Sequence, residues 1–265
     1  MKITGFDTLH ADAGRSFSFL KITTDNGLTG WSEFAGINER NRRIGLDGLI
    51  HGMMRGLMGR DPREVERISS DLLCDIRLSM SGINHQAVGA IQNCLIDLKA
   101  KDMGVPVYEL FGGPLRTRIP LYWSHFGITR FGRAAKQNNV KPINTLEEYA
   151  AHALDAKRAG YKALKTKIHY FDDDGAHSFF PTYGWESGAP EMNLQPEMLH
   201  AVIEQMAALR ETVGDDFDLI LDVNSNFKAD GIIRIARAME PFNLRWLEID
   251  LFDAETMRDI RERSP

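Results

Sequence analysis

From residue 119 onward, short apolar segments alternate with longer amphipathic ones, and this rhythm constrains the fold more than any other feature. The apolar segments have the length and residue alternation of β-strands: 119–123, 161–168, 217–223 and 244–251. Parallel strands need a long crossover, usually a helix, so strands that alternate with helical patterns predict parallel β/α units. We count four such units. A doubly wound sheet can close with about that number, whereas a TIM barrel needs eight.

The first 115 residues follow a different order, with strands before helices. Residues 1–34 have the alternation of a three-stranded meander, with an Asp-Asn-Gly turn before the last strand. Helical patterns come next, and the first of them opens at Asp61 with Pro62 at its first position. This order predicts an α+β domain over residues 1–115, and residues 116–265 then form a second domain.

The segment 161–168 is predicted to carry two lysines on one face of a strand. Lys165 and Lys167 are two residues apart, so they share a face and lie about 7 Å from each other. In a closed interior each ammonium opposes protonation of the other, and desolvation acts in the same direction. At least one lysine is then expected to have a lowered pKa and to serve as a base near neutral pH. The plain alternative is an exposed strand with two solvated lysines.

Acidic residues end the next two predicted strands. Asp222 and Glu248 both stand where a parallel strand meets its following loop, and Lys167 ends the strand before them. Such sheets carry their chemistry at the C-terminal ends of neighbouring strands. Two carboxylates without a nearby arginine repel each other, and a divalent cation satisfies both. Ligation by oxygen alone favours Mg²⁺, although either acid could also be a helix cap or a solvated charge.

Composition and charge exclude several classes of partner. The chain has 265 residues, of which 43% are hydrophobic, and a net charge of −5, which gives no reason to expect nucleic acid or an anionic membrane as a partner. The two cysteines, Cys74 and Cys94, fit reduced thiols of a cytoplasmic protein better than a disulfide framework. Neither a signal peptide nor a membrane span is recognisable.

Three motifs together resemble the enolase superfamily, in its mandelate racemase and muconate lactonizing enzyme branch. They are Leu-Lys-Thr-Lys-Ile at 164–168, Asp-Val-Asn at 222–224 and Trp-Leu-Glu at 246–248. The resemblance covers essentially the whole chain. It implies that residues 1–115 are an N-terminal α+β capping domain and that residues 116–265 are the first half of a TIM-like (β/α) barrel, with about four of its eight units.

The resemblance also implies roles for the polar residues at the strand ends. Lys167 is expected to be the base that takes the proton α to a substrate carboxylate, and Lys165 to lower its pKa and help hold that carboxylate. The metal ligands are expected to be Asp222 and Glu248, with Mg²⁺ stabilising the enediolate, as is general for this superfamily. Such electrostatic stabilisation is worth several kcal/mol.

Three further residues are implied as substrate-binding. Asn224 is similar to the family's polar residue close to metal and substrate, and Ser124 is similar in place to a substrate-binding serine of the racemases. His125 is a weaker candidate, because a histidine at a sheet rim is more often a plain polar residue.

The chain departs from the family pattern in two places. The family usually has Glu-Pro after the metal-binding glutamate, whereas Ile249 and Asp250 stand here, which makes Asp250 an additional rim acid of unknown purpose. Residues 169–196 form a long, irregular insertion, expected to overhang the active-site mouth and shape the substrate pocket alongside residues 10–16. The three aspartates at 172–174 are interpreted as a solvated loop rather than a second metal site.

The family's third metal ligand and its second acid/base residue would lie beyond Pro265. We therefore expect a truncated product of a longer protein. A half barrel exposes strand edges and an apolar interior, so the chain alone is predicted to be poorly folded or self-associating, with little activity.

The predicted function is Mg²⁺-dependent abstraction of the proton α to a carboxylate, in a sugar-acid dehydratase. The alternative is a racemase or epimerase of a 2-hydroxy or related acid. A metal-free aldolase with a Schiff base at Lys167 and a non-catalytic half barrel that only binds ligand are alternatives of other classes. The expected partners are a small carboxylate, in particular an acid sugar, and further copies of the same chain in a homo-oligomer.

Overall fold

A computed structural model describes residues 1–12, 16–34, 43–75, 82–179 and 192–265. It divides into two compact units, Met1–Thr117 and Arg118–Pro265. Among the described residues, no helix combines the length and the apolar character needed to cross a bilayer.

The first unit begins with the predicted three-stranded antiparallel meander. Its strands pair in chain order: β1 (Ile3–Asp12), β2 (Ser16–Thr24) and β3 (Thr29–Phe34). The turn between β2 and β3 needs a left-handed residue, and Gly27 supplies it with φ of 85°. This part of the sequence prediction is confirmed.

Three helices cover one face of this meander: α1 (Arg43–Leu57), α2 (Val65–Asp75) and α3 (Gly82–Asp102). The backbones of α3 and β3 approach closely at Gly30, where a Cβ atom would lie 2.5 Å from the carbonyl oxygen of Cys94. Apolar residues of the sheet and the helices form one buried core, with Leu20, Ile91 and Leu95 fully buried.

The second helix starts three residues later than the sequence indicated. Asp61 and Pro62 form a turn, closed by a bond from the Glu64 amide to the Asp61 carbonyl, and α2 begins at Val65. The Asp61 carboxylate accepts from the amide and the guanidinium of Arg63. Those bonds lower the pKa of Asp61 to about 2. They also stabilise an Asx-type turn, which competes with a helix that would start at Pro62.

The second unit is built around a parallel sheet of order β4 (Ala163–Lys167), β7 (Asp218–Asp222) and β8 (Trp246–Glu248). The helices of this unit are α4 (Gly132–Gln137), α5 (Leu146–Arg158), α6 (Pro196–Val213), α7 (Ala229–Met239) and α8 (Ala254–Arg263). One face of the sheet, with Leu164, Leu219 and Leu221 fully buried, packs in the same apolar core as these helices. Lys165 and Lys167 lie on the opposite face, as the alternation predicted.

Two predictions for this unit were wrong. Residues 119–123 are not a strand: Trp123 alone forms a parallel bridge to Leu164. The segment 169–196 is not irregular throughout, because β5 (His169–Asp172) and β6 (Gly175–Ser178) form an antiparallel hairpin. The three aspartates at 172–174 are exposed at its tip. Residues 180–191 of the insertion, and residues 13–15 of the early loop, lie outside the described residues.

Candidate active site

The register of the parallel sheet brings the predicted base and both predicted acids into one row. Lys167 is paired with Asp222, and Asp222 is paired with Glu248 on the following strand. All three are the last residues of β4, β7 and β8, so their side chains project from the same end of the sheet. Strand-end logic predicted this convergence, since neighbouring parallel strands place equivalent ends side by side.

Lys165 is the cation that joins the two acids. Its Nζ lies 2.6 Å from Oε1 of Glu248 and 3.7 Å from Oδ2 of Asp222, and its side chain is only 12% exposed. Burial lowers the pKa of Lys165, but the bond to Glu248 and the charges of both acids outweigh burial and leave the pKa raised. Burial raises the pKa of Glu248, but the bond to Lys165 outweighs burial and leaves this pKa lowered. Lys165 therefore stays a cation at neutral pH.

Lys167 has the opposite character. Burial is the main cause of its lowered pKa, the charge of Lys165 lowers it further, and the charge of Asp222 partly opposes both. Its Nζ donates to Oδ1 of Asn224 at 2.9 Å. A lysine with a lowered pKa has a larger neutral fraction and is the better candidate for a general base.

Asn224 combines an unusual backbone with a buried amide. It has a φ of 51°, in the left-handed region, and is 2% exposed. Its main chain accepts from the Asp250 amide and donates to Oδ1 of Asp222, at 3.1 and 3.0 Å. Among the described residues its Nδ2 has no hydrogen-bond acceptor. A buried donor without an acceptor is costly unless a ligand supplies one, so Asn224 is suited to binding an oxygen of a substrate.

Ser124 and His125 lie in the segment that runs beside β4. The Lys165 amide donates to the Trp123 carbonyl, and the Phe126 amide donates to the Lys165 carbonyl, so residues 124 and 125 are looped out between these two bonds. The Ser124 hydroxyl and Nδ1 of His125 are 2.9 Å apart. His125 has a φ of 55°, which is uncommon for a residue other than glycine. The structure thus places this pair beside Lys165 of β4.

Two aromatic residues border the site, and the sequence assigned a role to neither. Nε1 of Trp246 donates to Oε2 of Glu248 at 3.1 Å. The Tyr122 ring meets Trp246 edge-on and lies 6.0 Å from Nζ of Lys165. Trp246 thus bonds to Glu248 of the row, and Tyr122 lies beside Lys165. Trp246 had a sequence signal, because it shares a strand face with Glu248, whereas Tyr122 had none.

Two family models match the chain in succession. The model described as the mandelate racemase/muconate lactonizing enzyme N-terminal domain matches residues 6–112, and the model described as enolase C-terminal domain-like matches residues 148–265. The chain belongs to the mandelate racemase/muconate lactonizing enzyme branch of the enolase superfamily. It therefore has this branch's capping domain followed by its barrel-type domain, which excludes the doubly wound sheet.

Members of this branch that resemble the chain are named as sugar-acid dehydratases. A D-galactonate dehydratase family member of Halomonas elongata is 29% identical over 98% of this chain and 62% of its own length. A D-mannonate dehydratase of Caulobacter vibrioides is also 29% identical, with the same two shares. The chain thus spans less than two thirds of the length of these curated relatives.

A solved structure resembles the chain over its whole length. It is described as an L-alanine-DL-glutamate epimerase of Burkholderia xenovorans bound to magnesium and fumarate. It is 34% identical with a TM-score of 0.92, and the match covers 100% of this chain and 65% of that one.

Proposed function

We propose that the protein of this chain is a sugar-acid dehydratase in which Lys167 removes the proton α to the substrate carboxylate. The observation that carries the proposal is the row of Lys167, Asp222 and Glu248 at three adjacent strand ends, with Lys167 half-buried and its pKa lowered. The relatives named as sugar-acid dehydratases support the same class of substrate.

Three residues have separate roles in the proton transfer: Lys167, Lys165 and Asn224. Neutral Lys167 accepts the α proton and becomes an ammonium, while the substrate becomes an enediolate with additional negative charge on its carboxyl oxygens. Lys165 faces the same side of the sheet as a permanent cation, and Nδ2 of Asn224 offers a hydrogen bond to a substrate oxygen. Such fixed charges and donors lower the barrier because they need no rearrangement as charge develops. The Lys167 ammonium then returns its proton to the β-hydroxyl, which leaves as water, and the resulting enol tautomerises to the 2-keto-3-deoxy acid.

Asp222 and Glu248 would hold Mg²⁺ in this reaction. Their carboxylate oxygens suit this hard cation, which keeps several waters and takes few protein ligands. Among the described residues, no group of three His, Cys, Asp or Glu side chains could hold a metal, so the fit rests on these two acids together with water and substrate. When bound, the ion supplies positive charge that stabilises the anionic substrate. The relative bound to magnesium and fumarate supports this assignment.

We also assign the domains within this function. Residues 1–115 act as the capping domain, and residues 116–265 contribute about four of the eight β/α units of the barrel. The parallel order β4–β7–β8, extended by the bridge from Trp123, supports this count, because it corresponds to four consecutive positions around a barrel wall.

The test of the proposed function is exchange of the α proton with deuterated solvent. The protein, expressed from its complete reading frame, is incubated with Mg²⁺ and either D-galactonate or D-mannonate. We expect exchange and dehydration that EDTA abolishes, and a loss of at least about 100-fold in Lys167→Ala, because general-base catalysis contributes about that much. Lys162→Ala is the matched control, since Lys162 is exposed one residue before β4. Exchange that persists in Lys167→Ala rules out Lys167 as the base.

An epimerase is the second candidate, favoured by the description of the Burkholderia xenovorans relative. Both reactions begin with the same proton transfer, so the products distinguish them. A 2-keto-3-deoxy acid identifies the dehydratase, and an inverted α-carbon without loss of water identifies the epimerase. Trapping of Lys167 by borohydride in the presence of EDTA would point instead to Schiff-base chemistry.

A further inference from the structure

A buried polar network lies behind the lysine strand, on the face opposite the row of charged groups. Its members are Gln205 on α6, Tyr149 on α5 and Thr166 on β4, which are 1%, 0% and 0% exposed. A buried polar side chain costs free energy unless its hydrogen bonds are made, and an apolar residue would fill the same space at no such cost. Packing alone therefore does not explain why polar residues occupy these three positions.

Its bonds converge on the main chain of the proposed base. The Lys167 carbonyl accepts from Nε2 of Gln205 at 2.8 Å and from the Thr166 hydroxyl at 2.9 Å. Oε1 of Gln205 accepts from the amide of His169 at 3.0 Å. The Gln205 amide thus holds residues 167 and 169 at once, with one bond on each side of Ile168.

The remaining bonds of the network keep these donors in place. Nε2 of Gln205 lies 3.0 Å from the Thr166 hydroxyl and 3.3 Å from the Tyr149 hydroxyl. The Tyr149 and Thr166 hydroxyls are 2.5 Å apart. When Tyr149 donates to Thr166, the Thr166 hydrogen is available for the Lys167 carbonyl, and both Nε2 hydrogens of Gln205 are used. This assignment satisfies every donor of the three side chains.

The bonds of the Gln205 amide to the Lys167 carbonyl and the His169 amide form a clamp on the main chain. The position of this clamp along the chain indicates what it does. β4 ends at Lys167 and the hairpin strand β5 starts at His169, so the chain changes sheets within three residues. In a sheet, a peptide group of a neighbouring strand makes one donor and one acceptor bond of this kind. The side-chain amide of Gln205 makes the same two bonds at the point where β4 gives way to the hairpin. It fixes the backbone from which the Lys167 side chain projects toward Asn224.

We propose that Gln205 is a positioning residue for Lys167. Thr166 supports it by donating to the same carbonyl, and Tyr149 supports it by bonding to the Thr166 hydroxyl. The proposal rests on the proposed function, in which Lys167 is the base. A proton transfer is sensitive to the placement of the base, and a shift of about 1 Å can cost about 100-fold in rate. The clamp acts from behind the strand, so it sets where the base lies without touching the substrate.

The test compares Gln205→Met with Leu209→Ala in the protein expressed from its complete reading frame. Methionine fills the space of glutamine without its hydrogen bonds. Leu209 is fully buried one turn farther along α6, so Leu209→Ala lowers stability from the same helix without changing the clamp. Hydrogen exchange at the His169 amide is measured by mass spectrometry, and kcat and KM are measured with D-galactonate and D-mannonate in Mg²⁺.

In Gln205→Met we expect exchange at the His169 amide to accelerate at least about tenfold, because one bond to it is removed. We expect kcat to fall about 10- to 100-fold with KM within about twofold, because substrate binding is untouched while the base is displaced. Leu209→Ala should change neither quantity by comparable amounts. Thr166→Val removes one of the two donors to the Lys167 carbonyl, together with the acceptor for Tyr149, and keeps both Gln205 bonds to the backbone. It should lower kcat by less than Gln205→Met does.

The proposal is overturned if His169 exchange in Gln205→Met equals that in Leu209→Ala, or if kcat falls equally in the two variants. Should Gln205→Met fail to fold, kcat of Thr166→Val decides the question, because this variant loses the other donor to the Lys167 carbonyl. A kcat equal to that of the unmodified protein then overturns the proposal. If the unmodified protein acts on neither acid, the proposed function fails on that result. The exchange measurement then still decides whether Gln205 holds the backbone at Lys167.

Discussion

Lys165 and Lys167 have the same side chain on the same face of β4, yet their surroundings make them chemically different. Lys165 is bonded to a carboxylate and its pKa is raised, whereas Lys167 is bonded to an amide and its pKa is lowered chiefly by burial. The sequence placed both lysines but could not assign these partners, since Glu248 and Asn224 are 83 and 57 residues away. At this scale, the partner decides which lysine can act as a base.

The side chain of His169, whose main-chain amide is bonded to Gln205, is expected to make the stability of the protein depend on pH. It is fully buried, and burial lowers its pKa to about 3, whereas an unfolded histidine has a pKa of about 6.5. Below pH 6.5 the unfolded chain binds a proton that the folded chain does not. The free energy of unfolding should therefore fall, through this residue, by about 1.4 kcal/mol for each pH unit between about pH 6 and pH 4.

The measurement is urea denaturation across this pH range. His169→Asn should be less stable at pH 7 and should lose the histidine's share of the slope, so the difference from the unmodified protein narrows as pH falls. His200→Asn, at an exposed position of α6, is the control. If the free energy of unfolding changes with pH equally in His169→Asn and in the unmodified protein, His169 is not the cause of this pH dependence.

At the scale of elements, α5 has both a capping interaction that the sequence can indicate and a buried contact that it cannot. Thr145 caps α5 and accepts from the Glu148 amide at 3.2 Å. Glu148 in turn accepts from the Asn144 amide, one residue before the cap. These contacts are local and follow from residue type and spacing. The same helix carries Tyr149 into the buried network with Gln205, a contact that depends on how α5 and α6 pack.

Removing the cap should weaken this element by a measurable amount. Thr145→Ala is expected to lower the free energy of unfolding by about 1 kcal/mol, because one amide at the start of α5 loses its acceptor. Thr129→Ala, at an exposed threonine of the same unit, should change it by less than about 0.5 kcal/mol. Denaturation with urea gives both values. Equal effects from the two substitutions would contradict the capping role.

At the scale of the whole molecule, the free edge of the parallel sheet determines how the chain behaves alone. Within the described residues β8 pairs on one side only, with β7. A groove of about 740 Å³ runs beside it, lined by side chains of α7, β8, α8 and the segment between α7 and β8. Its apolar residues include Leu244, Leu247 and Met257. An unpaired strand edge next to an apolar groove favours association with another chain.

The 265-residue chain by itself is therefore predicted to self-associate through this surface. Size-exclusion chromatography with light scattering should show species larger than the 29.9 kDa monomer. Met257→Lys should reduce association, because Met257 lines the groove and is 37% exposed. Met58→Lys is the matched control, since Met58 is a similarly exposed methionine of the first unit, at 41%. A monodisperse monomer with a cooperative thermal melt would contradict this prediction.

The sequence alone determined what depends on short spacings. Alternation along 161–168 placed both lysines on one face, and strand-end positions predicted that Lys167, Asp222 and Glu248 would converge. It went wrong where long-range pairing decides the outcome: apolar residues 119–123 looked like a strand but form one bridge, and polar residues 169–178 looked irregular but form a hairpin.

Only the tertiary structure decided the partners of buried polar groups. Gln205 lies in an apolar helical stripe, and nothing in its neighbours along the chain indicates that it binds the backbone at residues 167 and 169. The physical reason is that periodicity is a property of nearby residues, whereas hydrogen-bond partners in the core are chosen by packing between elements far apart in the chain.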